Sequence, residues 1–267
     1  MNVRILVRGS NDIASAVAHA LFKAGFHVAL HEIPKPTVTR RKMAFTDAIF
    51  DGHTALEGVY AFRVNKNFLL RGMLIHHQVI PVSVDDFGKI LDIIRPQVLV
   101  DARMRKHQQP EVQLGLAPLT IGLGPNFVAG VTTDWVVETI WGGLGQVLRY
   151  GSSIPLRGEP KELGGHGRDR YVYAPCAGKF HTTFEPGDAV EQGQVIAHLN
   201  TIPLHAPLTG LLRGITHSNV PVAAKTKVIE VDPRGQDAQI SGIGERPAKI
   251  AKGVLQAVQD WKTNHAD

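Results

Sequence analysis

The stretch from Val3 to Glu32 limits the possible folds more than any other part of the sequence. Residues 3–7 are apolar and predict a buried strand, and residues 12–23 have the spacing of an amphipathic helix. Residues 26–30 predict a second strand, which Glu32 closes. A strand, a helix and a strand in this order predict a parallel βαβ unit.

The alternation of strand and helix patterns continues to about residue 150. Each later segment is short and is bounded by glycine, proline or an acidic residue. The sequence therefore predicts an α/β fold, with a Rossmann-like doubly wound domain over residues 1–150. Strands are expected over residues 57–64, 80–82, 97–101 and 119–122, and helices over residues 40–50, 87–94 and, behind the cap Thr132-Thr133-Asp134, 135–140.

The texture changes after residue 150. Residues 151–170 are rich in glycine, proline and charge, and are interpreted as a linker. An Ala-Pro-x-x-Gly turn then occurs at Ala174 and again at Ala206, each time before a short strand pattern. The sequence therefore predicts a small β domain over residues 171–235, built from two related halves.

Residues 171–235 resemble the biotinyl/lipoyl-like barrel-sandwich hybrid, most clearly in the Pro-Gly-Asp-x-Val-x-x-Gly-Gln run at residues 186–194. Carrier domains of that type attach their cofactor to a lysine in the hairpin between the halves. Residues 198–203 contain no lysine, so we expect no swinging arm. The remainder, residues 236–267, includes an amphipathic helix over 247–261 that is expected to pack back on the α/β domain.

Charge and hydropathy exclude several classes of partner. The formal net charge is +5, but only residues 40–42 and 103–107 form basic clusters, and aromatic residues make up 6% of the chain. A nucleic-acid surface needs a broader basic face with stacking aromatics, so none is expected. Apolar runs are too short for a membrane helix, so no membrane association is expected either.

A single cysteine, Cys176, excludes an internal disulfide framework, and the chain begins without the apolar region of a signal peptide. A cytoplasmic location is therefore expected. Cys176 is interpreted as a small packing residue, with a nucleophile or a sulfur or selenium acceptor as the alternative. The histidines have no cysteine or carboxylate at zinc-ligand spacing, so no metal site is predicted.

The first turn stands where dinucleotide-binding proteins hold a phosphate. Gly9, Ser10, Asn11 and Asp12 open the predicted helix, but the pattern is GxNxxA instead of GxGxxG. Phosphate binding at the helix N-terminus and a structural turn both remain open. Glu32 ends the second strand, where an acid can accept hydrogen bonds from ribose hydroxyls or remain solvated.

A second group of candidate residues follows later strands. Asp101 ends a strand beside Arg103. It is a candidate acid or substrate-binding residue, with an ordinary ion pair to Arg103 as the alternative. Arg40 and Arg41 are candidates for binding a phosphate or a carboxylate. The alternative is that they lie on a helix surface without a ligand. The turn after the strand at 119–122 is a candidate anion cradle, because a helix is expected behind it. The alternative is a turn that needs glycine only for its backbone angles. The candidate residues of this turn are Gly122, Gly124 and Asn126.

Four runs, at residues 32–41, 44–49, 121–127 and 231–235, resemble the YqeB-type accessory proteins of the selenium-dependent molybdenum hydroxylase system. This resemblance implies a maturation factor that binds an anionic, phosphate-bearing ligand, namely a nucleotide or a molybdopterin-type cofactor. It also implies a role in inserting a sulfur or selenium ligand, with the molybdenum hydroxylase apoenzyme or other maturation factors as partners. Ser10-Asn11 and Cys176 depart from the family pattern.

Two other functions remain open. An NAD(P)-dependent oxidoreductase is favoured by Glu32, but the sequence offers no clear hydride-transfer acid such as a Tyr-Lys pair. A scaffold that docks partner proteins through residues 171–235 is the third hypothesis. No residue is assigned a catalytic role, and a homo-oligomer is left open.

Overall fold

The chain divides into two units, and the second contains the predicted β domain. The computed structural model describes residues 3–105, 108–155 and 160–265. Residues 156–159 of the predicted linker lie outside this range. The first unit combines Met1–Pro34, Ala44–Leu156 and Ile243–Asp267, and the second combines Lys35–Met43 and Arg157–Gly242.

The elements of the first unit alternate between strands and helices. In chain order the strands are β1 (Arg4–Arg8), β2 (His27–His31), β3 (His53–Leu56), β4 (Val59–Arg63), β5 (Ile80–Ser83), β6 (Val98–Asp101), β7 (Leu119–Leu123), β8 (Val128–Ala129), β9 (Trp135–Val137), β10 (Val147–Leu148) and β11 (Gly151–Ser152). Its first four helices are α1 (Asp12–Lys23), α2 (Asp47–Asp51), α3 (Asn67–His76) and α4 (Phe87–Ile94).

The second unit is built mainly from short strands, and the chain then returns to the first unit with a long helix. The strands are β12 (Tyr171–Tyr173), β13 (Gly178–His181), β14 (Ala189–Val190), β15 (Val195–Leu199), β16 (Ile202–His205), β17 (Gly210–Ile215), β18 (Pro221–Val222) and β19 (Lys227–Asp232). The helix is α5 (Glu245–Asn264). Single 3-10 turns cover Arg41–Met43, Arg168–Arg170 and Gly235–Asp237.

A mixed nine-stranded sheet forms the centre of the first unit, in the order β10-β9-β7-β6-β1-β2-β5-β4-β3. The seven strands from β9 to β4 run parallel, and β10 and β3 pair antiparallel at the edges. The first unit is thus an α/β structure with a large, mostly parallel sheet.

Apolar side chains cover both faces of this sheet. Ile5 and Val7 point towards the core that contains α1, whereas Leu6 joins the core beneath α3 and α4. Successive residues of a strand point to opposite faces, so the continuous apolar run in β1 is what a strand buried on both sides requires. Helix α5 contributes Ile250, Val254 and Val258 to the core that contains α1.

Two four-stranded antiparallel sheets make up the second unit, in the orders β12-β19-β17-β14 and β16-β15-β13-β18. Each Ala-Pro-x-x-Gly turn leads into a strand, since β13 begins at Gly178 and β17 at Gly210. A Cβ atom on Gly210 would lie 2.3 Å from the carbonyl oxygen of Asp232, and one on Gly178 would lie 2.6 Å from the Asn200 amide. Each glycine therefore allows close packing where its strand begins.

Two predicted helices are wrong. Residues 135–140 do not form a helix, because Trp135–Val137 is strand β9, paired with β7 and β10. Aromatic and β-branched residues favour this pairing over the cap pattern before them. Residues 40–50 do not form one helix either: a 3-10 turn over Arg41–Met43 belongs to the second unit, and the helix is only Asp47–Asp51.

Among the described residues, no helix combines the length and the apolar composition that crossing a bilayer requires.

Candidate functional site

Four strands of the parallel sheet end level with one another. The register places Arg8 opposite His31 of β2 on one side and opposite Asp101 of β6 on the other, and Asp101 opposite Gly122 of β7. In the sheet, β2 lies on one side of β1. Strand β6, which follows α4 in the chain, lies on the other side of β1. Ligands of open parallel sheets bind at the carboxyl ends of strands where the order reverses in this way.

An ion cluster with a buried centre and an exposed rim occupies this position, and we call Arg8, Asp101, Arg103, Arg105 and Glu111 the strand-end cluster. Asp101 is 1% exposed and accepts a hydrogen bond from Arg103 Nε at 2.9 Å, with a second bond from the same guanidinium. Arg105 Nη2 lies 3.7 Å from Asp101 and also pairs with Glu111. Arg8 Nη1 lies 3.3 Å from Glu111.

Gln113 holds the centre of the strand-end cluster in place. Its Nε2 donates to Asp101 Oδ2 at 2.6 Å, and its Oε1 accepts from Arg8 Nη1 at 3.3 Å. The amide thereby fixes a carboxylate and a guanidinium at once. Its side chain is fully buried, which favours a single orientation of the pair.

Arg8 is the least ordinary member of the strand-end cluster. It is 6% exposed, its guanidinium carbon lies 3.7 Å from the centre of the Phe87 ring, and its Nε has no hydrogen-bond partner among the described residues. Burial and then the charge of Arg103 lower the pKa of Arg8 to about 10, although Asp101 and Glu111 act to raise it. A buried donor without an acceptor is costly, and an anion would remove that cost.

The charges of the five residues in the strand-end cluster do not cancel among themselves. Three arginines face two carboxylates, which leaves one positive charge. Burial alone would raise the pKa of Asp101, but the hydrogen bonds and charge of Arg103 hold it below its ordinary value. The hydrogen bond from Arg105 likewise helps to lower the pKa of Glu111 to about 2, against the effect of burial. Both carboxylates are therefore charged at neutral pH.

The first turn lies beside this cluster, and its backbone amides are engaged within the chain. Gly9 N donates to the His31 carbonyl at 2.8 Å, and Asn11 Oδ1 accepts from Ile13 N and Ala14 N at 3.0 and 3.1 Å. Asn11 is the N-cap of α1, which Asp12 begins. The amides of Gly9, Ile13 and Ala14 thus have protein acceptors in this structure. Phosphate binding at this turn stays a prediction.

Gly9 is required by its surroundings. Its φ of +110° belongs to a region that side chains disfavour, and a Cβ atom would lie 3.0 Å from the Ala102 carbonyl oxygen. Asn11 Nδ2 donates to that same oxygen at 2.8 Å. The turn after β1 therefore packs directly on the segment after β6.

Glu32 is bound to the first turn. One carboxylate oxygen accepts from Ser10 N at 2.8 Å and from Ser10 Oγ at 3.0 Å, and the other accepts from Ile33 N at 2.9 Å. Burial raises the pKa of Glu32, although these hydrogen bonds oppose the shift. The carboxylate occupies donors that a ligand would otherwise use.

The turn after β7 has no helix behind it, so the expected dipole of a helix N-terminus is missing there. A Cβ atom on Gly122 would lie 2.2 Å from the Phe127 ring, and one on Gly124 would lie 3.1 Å from the sulfur of Met104. Asn126 has a φ of +72° and donates to the Gln108 carbonyl at 3.2 Å. These residues have local structural reasons for their identity, and anion binding by them stays a prediction.

Arg40 and Arg41 belong to the second unit. Arg40 donates to both carboxylate oxygens of Glu230, at 3.1 and 3.2 Å, and Arg41 pairs with Glu185 at 2.9 Å. The other predicted residues lie in the first unit. There the structure brings together the ends of β1, β2, β6 and β7.

Sequence reasoning did not select Arg8, Glu111 or Gln113 as site residues. The available signal was Arg8 itself, since a charged residue that ends an apolar strand is the pattern that selected Asp101. Lys106 and His107 of the predicted basic cluster lie outside the described residues. Within the described part of the chain, no three His, Cys, Asp or Glu side chains could together hold a metal ion.

Comparison with known sequences gives one informative relative. The chain is 38% identical over 255 residues to the "Uncharacterized protein YqeB" of Escherichia coli (strain K12), an alignment covering 95% of this chain and 47% of that protein. This identity supports the predicted YqeB-type resemblance. The chain spans about half the length of this curated relative. No protein-family model matches the chain.

Comparison with solved structures gives only distant likenesses. The chain is 15% identical to a succinylglutamate desuccinylase/aspartoacylase from Rhodobacter sphaeroides, with 88% and 87% of the two chains covered and a TM-score of 0.28. For an aspartoacylase family protein from Mesorhizobium loti the identity is 13%, the coverage 86% and 85%, and the TM-score 0.26. Backbones that differ this much support no inference about function.

Proposed function

We propose that the first unit is a Rossmann-like nucleotide fold and that the second is a barrel-sandwich hybrid. Helices on both faces of the parallel sheet and the reversal of strand order beside β1 support the first assignment. Two antiparallel sheets, each with one copy of the repeat, support the second. The hairpin between β15 and β16 has no lysine, which argues against a carrier role.

The protein as a whole is proposed to be a cytoplasmic accessory factor in the maturation of a molybdenum hydroxylase. In this role it binds an anionic nucleotide or a molybdopterin-type cofactor at the strand-end cluster, during insertion of the sulfur or selenium ligand. The family resemblance of the sequence suggests the process. The cluster suggests the chemistry of the ligand, which is an anion carrying phosphate.

One observation carries the assignment of the ligand class. Arg8 is buried at the reversal point with an unpartnered Nε, inside a cluster that retains one positive charge among the described residues. Guanidinium groups bind phosphate oxygens through charge-assisted hydrogen bonds. A single phosphate group would both neutralise the positive charge of the cluster and accept a hydrogen bond from Arg8 Nε.

Each member of the strand-end cluster has a distinct proposed task. Arg8 donates its Nε hydrogen to a phosphate oxygen, and Arg103 and Arg105, which are more exposed, contribute charge at the rim. Asp101 and Gln113 keep the guanidinium groups in position through the hydrogen bonds described above. A molybdopterin-type cofactor, when bound, would supply the metal and its terminal ligand, and this chain would hold its phosphate.

The proposal is tested by native mass spectrometry of the protein purified from its own host. We expect a bound small molecule that contains phosphate. Arg103→Gln and Arg105→Gln should reduce the bound fraction, whereas Arg71→Gln, an exposed arginine on α3, should not. A protein that carries no phosphorylated molecule, and that also fails to bind added ADP, would refute the proposal.

The two other functions are less well supported. Binding of the adenosine ribose of a nicotinamide dinucleotide by Glu32 would require its carboxylate to release Ser10 and Ile33. Turnover of NADH with any substrate would revive the oxidoreductase hypothesis. Loss of partner capture on substitution of exposed residues of the second unit, with ligand binding intact, would favour the scaffold.

A further inference from the structure

A second group of cations, in the second unit, surrounds the carboxylate of Glu230 on β19. Glu230 is completely buried. Its Oε1 accepts hydrogen bonds from Arg40 at 3.1 Å, Arg170 at 2.5 Å and Arg213 at 2.9 Å. Its Oε2 accepts from Lys227 at 2.9 Å. Four cationic side chains thus converge on one carboxylate, and we call these five residues the Glu230 cluster.

Asp232, two residues further along β19, does not balance this charge. It is bonded by Arg234 at 2.7 Å and lies 4.0 Å from Arg213. Asp237 also acts on Arg234, so three carboxylates face five cations in this part of the described chain. The cations therefore outnumber the carboxylates around β19.

Arg170 provides an independent sign of a missing acceptor. Its side chain is 2% exposed, and its Nε has no hydrogen-bond partner among the described residues. Its other nitrogens donate to Glu230, to Tyr171 Oη at 2.6 Å and to the Lys161 carbonyl at 3.1 Å. A buried N–H without an acceptor is costly, so an additional acceptor at Arg170 would stabilise the arrangement.

The environment of Arg213 agrees with a positive potential. Burial and the charge of Arg40 lower the pKa of Arg213, despite the opposing charges of Glu230 and Asp232. The Tyr171 ring lies 4.3 Å from the Arg170 guanidinium, and this contact holds the guanidinium plane in place. The cluster is thus preorganised and has a positive electrostatic potential.

We propose that the Glu230 cluster binds a multiply charged oxyanion of the phosphate class, with Arg170 and Arg213 as its donors. Planar guanidinium groups suit such an anion because they present several N–H donors in a fixed fork. Two or more negative charges are expected on the ligand, since the cluster contains several cations. This site is separate in sequence from the strand-end cluster and is assigned to the second unit alone.

Side-chain NMR of the full chain labelled with ¹⁵N-arginine tests the proposal directly. Pyrophosphate is titrated in, and acetate serves as the monovalent control. The Nε–H signal of Arg170, assigned with Arg170→Lys, should shift in a saturable way with pyrophosphate only. Arg213 Nε already donates to the Gln239 carbonyl at 3.0 Å, so the role of Arg213 is tested by substitution. An Arg170 signal that stays unchanged, or that moves equally with acetate, would overturn the proposal.

Substitution gives a second readout. Arg213→Gln should weaken pyrophosphate binding at this site about tenfold. Lys179→Gln, which removes the same charge from an exposed position on β13, should leave it unchanged. If Arg213→Gln does not fold, Arg213→Lys retains the charge without the fork and should still weaken binding. Wild-type affinity in the folded Arg213 variants would overturn the proposal.

Arg103→Gln separates this proposal from the proposed function. It removes a donor of the strand-end cluster and should leave the pyrophosphate-dependent shift of Arg170 unaltered. A chain that shows the Arg170 shift but binds no ADP would refute the first-unit site only. The reverse result would refute the Glu230 site only.

Discussion

Arg8 and Asp101 are register neighbours on adjacent parallel strands, and their side chains approach to 3.9 Å although both are more than nine-tenths buried. Charged side chains are rarely buried to this extent unless they are paired. Their position at the carboxyl ends of β1 and β6, where the strand order reverses, makes them the centre of the candidate site.

Asp101→Asn should strongly destabilise the fold. It leaves Arg8 and Arg103 without the buried carboxylate that offsets their charge, at a cost of about 3 kcal/mol in the free energy of unfolding. Urea unfolding measures this loss. Asp260→Asn breaks an exposed pair with Arg149 and should cost less than about 1 kcal/mol. Equal losses in the two variants would show that Asp101 is not an essential counter-charge.

Glu111 should make stability depend on pH in the acid range. Its pKa is lowered from 4.5 to about 2, so its stabilising effect is complete above 4.5 and is lost as the pH falls towards 2. The difference in unfolding free energy between wild type and Glu111→Gln should therefore shrink as the pH falls through this range. A difference that stays constant would contradict the ion pairing of Glu111 with Arg105.

Glu32 should act in the opposite direction. Its pKa is raised by burial above the ordinary 4.5, so the folded state retains a proton that the unfolded state releases. Stability should fall as the pH rises from 4.5 through the folded pKa. Glu32→Gln can still accept from Ser10 and should remove this fall in acid-to-neutral unfolding curves. A fall of equal size in the variant would assign the effect to another group.

Gly122→Ala tests whether packing alone explains the glycine after Ile121. The new methyl group would meet the Phe127 ring, and overpacking of this kind costs about 1–3 kcal/mol. Gly72→Ala on α3 meets nothing within 4 Å and should stabilise by about 0.5–1 kcal/mol. Thermal unfolding distinguishes the two. Combining Gly122→Ala with Phe127→Leu should recover part of the loss if the clash is its cause.

The sequence predicted the elements whose signals are local. Helices α1 and α4 are confirmed with the predicted bounds, Asp12–Lys23 and Phe87–Ile94, because caps and apolar spacing define them from within. Strand β9 was missed because a Thr-Thr-Asp cap pattern precedes it, whereas its pairing partners, β7 and β10, come from elsewhere in the chain. Asp134 instead binds Thr120, with its carboxylate 2.7 Å from the Thr120 amide.

The candidate site could be predicted only in outline. Strand order determines which strand ends are adjacent, and local patterns do not reveal it, so Asp101 was selected without Arg8 as its neighbour. The same limitation applies to Arg40 and Arg41, whose contacts are with carboxylates of the second unit. Their partners Glu230 and Glu185 lie more than 140 residues away in sequence.

A crystal structure of the protein with ADP tests the central claim most directly, because it shows where the phosphate binds. We predict a phosphate oxygen within hydrogen-bond distance of Arg8 Nε, with Asp101 and Gln113 still bonded to each other. A phosphate bound in the first unit away from Arg8, or crystals grown with saturating ADP that show none beside the strand-end cluster, would contradict the account.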